Sequence, residues 1–368
     1  MKKVLVLAAA ATMAISAQAQ ERKLKVLPFG SFNEQTTPDQ LDPKNVYYTG
    51  KIISFSDWLK KSPDEVEFLN LYPGYKEPSV RVTKNGLDST QVEKITLFDT
   101  RAKMVLNTPP SSIDLKKLLK PDVFAKLVRE TKQIKSVHQL IAPDQIMPLV
   151  AGSGNMTNFG FCNKKEEGWG DKLLVSDGNY ILRPSREKDL SHAQRPDRKW
   201  CDNPERSVCV ESCVKFTGVL YQTAVSLANS RRADQDRKID YGVAIESEIR
   251  YYVSEAEMGK SVSLSKLTGV DSPVRGVLEQ SMFYWNQIMQ FGKMLTVFQE
   301  DPNNAQNTIV TNLFVVGIKT RTYSENSVIS QLLDGSSKAL NDSGGGVMAG
   351  IPVFTQETAH AIGKIFEH

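Results

Sequence analysis

Between Ile239 and Val253 the chain alternates apolar and polar residues. Ile239, Tyr241, Val243, Ile245, Ile249, Tyr251 and Val253 fall on one side, Asp240, Glu246, Glu248, Arg250 and Ser254 on the other, and only Ser247 breaks the order. A helix turns 100° per residue and would scatter that set around its circumference; a strand lines it up on one face. The stretch is therefore predicted to be a long, half-buried strand of an antiparallel sheet, and it needs partners of similar length. Thr308 to Tyr323, apolar on both sides around Phe314, Val315 and Val316, is a second long strand. Val214 to Leu227 is a candidate neighbour across the polar turn Asn229 to Lys238.

The segment between these strands carries a different period. Val274, Val277, Leu278, Met282, Trp285, Ile288, Met289 and Leu295 recur near 3.6 residues, with Tyr284, Phe291 and Phe298 broadening the stripe and Gln280, Gln287, Gln290 and Lys293 largely opposite it. Ser272 and Pro273 suit a helix start and Asp301-Pro302 a stop. One long helix is expected here, under a curved antiparallel sheet. Met282, Trp285 and Met289, facing Tyr241 and Tyr251 of the long strand, make a candidate site for an apolar ligand, because methionine adapts to irregular shapes. A packed core has the same pattern. Phe283 and Met294 lie off the main stripe, so the helix is either covered on two sides or offers a patch to a partner protein.

Met1 to Ala19 has the build of a secretory leader: Lys2 and Lys3, the apolar run Val4 to Ile15, then Ala17-Gln18-Ala19. Cleavage after Ala19 and a periplasmic or secreted product are expected. The apolar run is too short to span a bilayer, no later run approaches about 18 apolar residues, and no cysteine follows the cleavage site as in a lipoprotein. Removing the leader takes the formal charge from +4 to about +2. That balance, with both signs dispersed, provides no basic footprint for nucleic acid.

Residues 20–150 read as mixed α and β. Lys25 to Phe29, Val46 to Phe55 and Ser79 to Thr83 have strand character, and Ser56-Asp57 starts a short helix. Val92 to Phe98 and Arg101 to Leu106 form a strand pair joined at a polar tip, Asp99-Thr100. Helices follow Ser111 to Asp114, and the Pro- and Gly-rich stretch Ala142 to Asn158 is a linker.

Residues 151–213 hold all four cysteines, Cys162, Cys201, Cys209 and Cys213. In an exported chain an even count reads as disulfides that staple a segment too polar to pack alone. A strand over Cys209 to Cys213 would hold those two about 13 Å apart and send them to Cys162 and Cys201; a turn or helix would let them pair with each other. The spacing lacks the close cysteine pairs that structural zinc favours, so no metal is assigned. The same region contains the clearest hairpin signal, Asp177-Gly178 between Leu173-Leu174-Val175 and Tyr180-Ile181-Leu182.

Catalytic motifs are sparse. Ser263-x-x-Lys266 has the spacing of an acyl-enzyme serine and lysine, without the companion motifs in order. Glu357-x-x-His360 is half of a di-metal pattern with no second copy. No nucleophile elbow, phosphate-binding loop or dinucleotide fingerprint occurs, and no cofactor is expected. The fold expected is α+β: a mixed N-terminal region, a disulfide-stapled middle, and a domain over 214–368 in which a long-stranded antiparallel sheet packs on one long helix. The function expected is an exported, non-catalytic binding or envelope-associated protein taking an apolar small molecule or an envelope protein. An envelope-directed hydrolase using carboxylates and a disulfide-stabilised scaffold are the alternatives.

Overall fold

The structure is a computed structural model. It describes residues 22–58, 60, 79–84, 87–92, 95–116, 175–177, 180–184, 203, 205–215, 242–258, 263–285, 289–319, 359, 362–363 and 365–367. Their centre is one ten-stranded sheet. In chain order its strands are β1 (Lys23–Val26), β2 (Asn45–Ser54), β5 (Ile95–Leu106), β6 (Val175–Asp177), β7 (Tyr180–Pro184), β8 (Ser207–Lys215), β9 (Gly242–Tyr252), β10 (Val274–Trp285), β11 (Met289–Glu300) and β12 (Thr308–Lys319). A separate hairpin pairs β3 (Ser79–Lys84) with β4 (Leu87–Val92). Across the sheet the order is β1-β2-β5-β12-β11-β10-β9-β8-β7-β6, parallel only at β1-β2. The N-terminal strands thus sit beside the last described strand: Thr308 of β12 lies opposite Leu106 of β5.

The alternating stretch is β9, as its period two requires, and Thr308 to Tyr323 supplies β12. The Asp-Gly hairpin also forms, with Asp177 opposite Tyr180 and residues 178–179 between the strands.

The expected long helix does not exist. Its residues make two twelve-residue strands, β10 and β11, paired antiparallel from Val274–Gln299 to Met282–Gly292. Both faces of this hairpin are covered, so apolar residues appear at odd and even positions alike: Val277 and Leu295 are buried on one face, Phe298 on the other. Two buried faces erase the period of two and leave spacings that imitate a helix. The described residues form a sheet with short helical pieces: α1 (Phe55–Trp58), α2 (Leu264–Thr268), isolated 3-10 turns, and helical residues Ala359, Ile362, Gly363, Ile365 and Phe366 near the C-terminus. The α+β expectation is corrected accordingly.

Two smaller corrections follow from the same sheet. Asp99-Thr100 is no turn but the middle of β5, where both residues are 2 % exposed. β9 lies between β10 and β8, and β8 ends at Lys215.

The disulfide staple is corrected too. No disulfide occurs among the described residues. Cys209 and Cys213 lie on β8, where the extended rise holds them about 13 Å apart, beyond the reach of a mutual bond. Cys162 and Cys201 lie outside the described residues. What holds β8 in place is its ladder to β7 on one side and β9 on the other.

Candidate functional site

Register assigns the side chains to two faces of the sheet. On the first face the rows across β2, β5, β12 and β11 run Val46-Met104-Val310-Phe298, then Tyr48-Ala102-Asn312-Thr296, then Gly50-Thr100-Phe314-Met294. The C-terminal helical residues cover this face. Phe366 meets Phe298 edge to face with ring centroids 5.6 Å apart, and Ala359 and Phe366 belong to the same buried cluster as Val46, Met104 and Val310.

That cover is fastened at its end by Arg22, which sits on β1's approach to the sheet. Arg22 Nη2 donates to Glu367 Oε1 at 2.5 Å and to Val105 O at 2.9 Å, and Nε donates to Pro43 O at 3.0 Å. Asn107 N donates to the same carboxylate at 2.8 Å, and Thr108 Oγ1 to Phe366 O at 2.8 Å.

Between sheet and cover lies a cavity of about 20 Å³, lined by Val46, Ala102, Met104, Val310, Phe314 and Met294 from the strands and Ala359 and Ile362 from the cover. Asn312 is its polar wall. Lys103 contributes to the lining as well, but its ammonium is committed on the opposite face, donating to Thr36 Oγ1 at 2.9 Å, Thr36 O at 3.1 Å and Thr268 O at 2.6 Å. The volume has room for about one water molecule. Anything larger enters only if the cover lifts or the two methionines change rotamer, which their unbranched chains permit.

The second face carries a small apolar core under α1 and α2, with Trp58, Leu264 and Leu267 against Leu97, Leu295 and Leu313. Beside it lies a buried charge network. Lys293 Nζ contacts Glu279 Oε1 at 2.5 Å, Tyr252 Oη donates to Glu279 Oε2 at 2.9 Å, and Arg250 donates to Glu248 Oε1 through Nε at 3.0 Å and Nη2 at 2.8 Å. Glu248, Glu279 and Lys293 are almost wholly buried. These pairs tie β9, β10 and β11 together through their side chains. Alternation predicts Glu248 on the polar side of its strand and helical spacing predicts Lys293 on the polar side of a helix, yet both residues are buried.

Of the sequence-predicted ligand residues, Tyr251 lies on β9, Met282 and Trp285 on β10 and Met289 on β11. Tyr251, on β9, is buried in the first-face core, opposite Leu278 and with the Arg206 guanidinium 5.0 Å from its ring centre. Met282 pairs with Ser247 and Trp285 with Ile245, on the far part of β10, and Met289 opens β11 opposite Ile318. Tyr251 and Ser247, the register partner of Met282, are four residues apart on one strand, about 13 Å. Tyr241 lies outside the described residues. The cavity residues Met104, Ala102 and Val46 come from the N-terminal part of the chain, and only Met294, already off the expected helix stripe, carried a signal.

Two motifs find a structural explanation or none. Ser263 is the N-cap of α2, its Oγ accepting from Lys266 N at 3.4 Å, so the serine-lysine spacing is that of a capped helix. Glu357 and His360 lie outside the described residues. Among those described no cluster of three His, Cys, Asp or Glu could hold a metal ion, and no helix is long and apolar enough to cross a membrane, which says nothing of strands.

No protein-family model matches the chain, and no curated protein matches it. Among solved structures, the chain is similar to the lipid transfer and protein localization domain of human StarD13 (DLC2), with 6 % identity over 79 % of this chain and 90 % of that one and a TM-score of 0.24. At that score the likeness carries no argument about fold or ligand.

Proposed function

We propose that this is an exported, non-catalytic binding protein of the cell envelope that takes an apolar ligand between the first face of the sheet and the C-terminal helical residues. The observation that carries the reading is the cavity at that seam: its walls are mostly aliphatic and aromatic, two of them are methionines, and one side is formed by Ala359 and Ile362 of the C-terminal cover. Such a seam suits a ligand bound by area and shape. Export rests on the leader-like Met1 to Ala19.

The test is native mass spectrometry of protein recovered from the periplasm of an expressing cell. The expected product begins at Gln20 and retains an apolar molecule, which Ile362→Asp, placing a charge in the cavity wall, abolishes. Recovery of the folded protein free of any apolar molecule, together with failure to bind a fluorescent apolar dye, would overturn the reading.

A further inference from the structure

One edge of the ten-stranded sheet is β1. Its ladder to β2 runs through alternate residues: Lys23 N donates to Lys44 O at 2.8 Å and Leu27 N to Tyr48 O at 2.7 Å. Successive residues of a strand turn their N–H and C=O groups to opposite sides, so those of Leu24 and Val26 point away from β2, and no strand among the described residues pairs with them there. The same alternation sorts the side chains. Leu24 and Val26 lie on the first face, in register with Val46 and Tyr48; Leu24 packs at the margin of the first-face core, and Val26 is left 66 % exposed. Lys23 and Lys25 lie on the second face and are exposed, Lys25 with its ammonium 5.4 Å from the centre of the Tyr47 ring. The open stretch is bounded at both ends. Arg22 is held by Glu367, Val105 and Pro43, and Pro28, with φ −60° and no N–H, cannot extend the edge.

A sheet edge with outward N–H and C=O groups is a template for another strand. We propose that β1 docks an extended segment of a partner protein whose acidic residues alternate with apolar ones, adding it to the sheet as a new edge strand. Backbone hydrogen bonds at Leu24 and Val26 attach it, its apolar side chains cover Val26 on the first face, and its carboxylates meet Lys23 and Lys25 on the second. The lysines decide against a second copy of this chain. Two copies paired antiparallel, so that Leu24 of one exchanges hydrogen bonds with Val26 of the other, would put Lys25 directly opposite Lys25, and like charges so placed repel. Edge lysines guard sheets against self-pairing in this way, and the same charge selects a partner of opposite sign. The inference is independent of what fills the seam between the sheet and its C-terminal cover.

The experiment uses the purified protein and short capped peptides that alternate valine with glutamate or valine with lysine, with binding read by fluorescence anisotropy. The glutamate peptide should bind about tenfold more tightly than the lysine peptide, because two charge pairs change sign between them, and added salt should shrink the difference. Lys25→Glu should erase that preference, and Lys23→Glu added to it should invert the order. Val26→Pro removes one outward N–H and leaves the ladder to β2 intact, so it should weaken both peptides about tenfold. Hydrogen exchange of the unaltered protein supplies a readout that needs no variant: the amides of Leu24 and Val26 should slow when the glutamate peptide binds, while those of Lys23 and Leu27, already bonded to β2, should not change. Binding of neither peptide, equal binding of both, or binding that leaves the Leu24 and Val26 amides as fast as before would each overturn the inference. Self-association in sedimentation that protects those two amides would overturn it in favour of a second copy.

Discussion

Lys103 and Gly269 show how much single residues carry. Lys103 is 1 % exposed and held by three neutral oxygens, with Phe32 beneath its ammonium at 5.4 Å from the ring centre. Burial first, and Arg101 second, bring its pKa down from the ordinary 10.5 to about 7. In that window the unfolded chain keeps a proton that the folded chain has released, so stability rises with pH from about 7 to about 10.5 and is independent of this group below 7. Urea unfolding at pH 7 through 10 should show this upward slope relative to Lys103→Met, whose stability lacks it. An identical slope in both proteins would refute the assignment. Gly269 ends α2 in the left-handed region, φ 67°, with Asn33 so near that a Cβ would meet it at 2.7 Å. Gly269→Ala should therefore cost about 2 kcal/mol, the left-handed penalty plus the displacement of Asn33, as a shift of the urea midpoint. Neither role was legible in the sequence. Lys103 looked like a basic residue on a short strand because its acceptors, Thr36 and Thr268, are distant in the chain.

At the scale of elements, β10 and β11 are the instructive pair. Their charged residues face inward because the neighbouring strands place opposite charges one register step away: Glu279 pairs with Arg250 across β9 and with Leu295 across β11, and its ion partner Lys293 lies diagonally. Breaking such a pair leaves one buried charge behind. Lys293→Met or Glu279→Leu alone should each cost about 3–5 kcal/mol, and the double variant much less than the sum. A double-mutant cycle by denaturant unfolding measures it, and additive losses would mean the two side chains act independently. The sequence did contain a warning against the helix. Gly276 and Gly292 stand inside it, and its β-branched and aromatic content suits strands. Gly276 is needed because Leu115 packs where its Cβ would be, 2.5 Å from Cδ1.

For the molecule as a whole, the sheet joins the two ends of the chain. The Arg22–Glu367 contact closes the C-terminal cover onto a strand near the N-terminus, and Gly363 lets it close, since a Cβ there would lie 2.8 Å from Arg22 Nη1. Glu367→Gln should weaken a charge-assisted bond without disturbing the sheet. Hydrogen exchange of Ala359, Ile362, Gly363, Ile365 and Phe366 is expected to quicken about tenfold while β5, β11 and β12 keep their protection. Equal acceleration everywhere would show that the contact supports global stability instead of the cover. The sequence by itself determined the strands with one periodic face or strong local turn chemistry: β9 by its alternation, β12 by its length, and β6-β7 by Asp-Gly. Only the tertiary structure decided that β10 and β11 are strands, that Asp99 and Thr100 are interior, and that Val46, Met104 and Phe314 line one cavity. The reason is physical. Strands covered on both faces can carry apolar residues on both, as β10 and β11 do, which blurs the alternation, and pairings such as Thr308 with Leu106, about 200 residues apart, are made by packing and backbone hydrogen bonds that leave no local pattern in the chain.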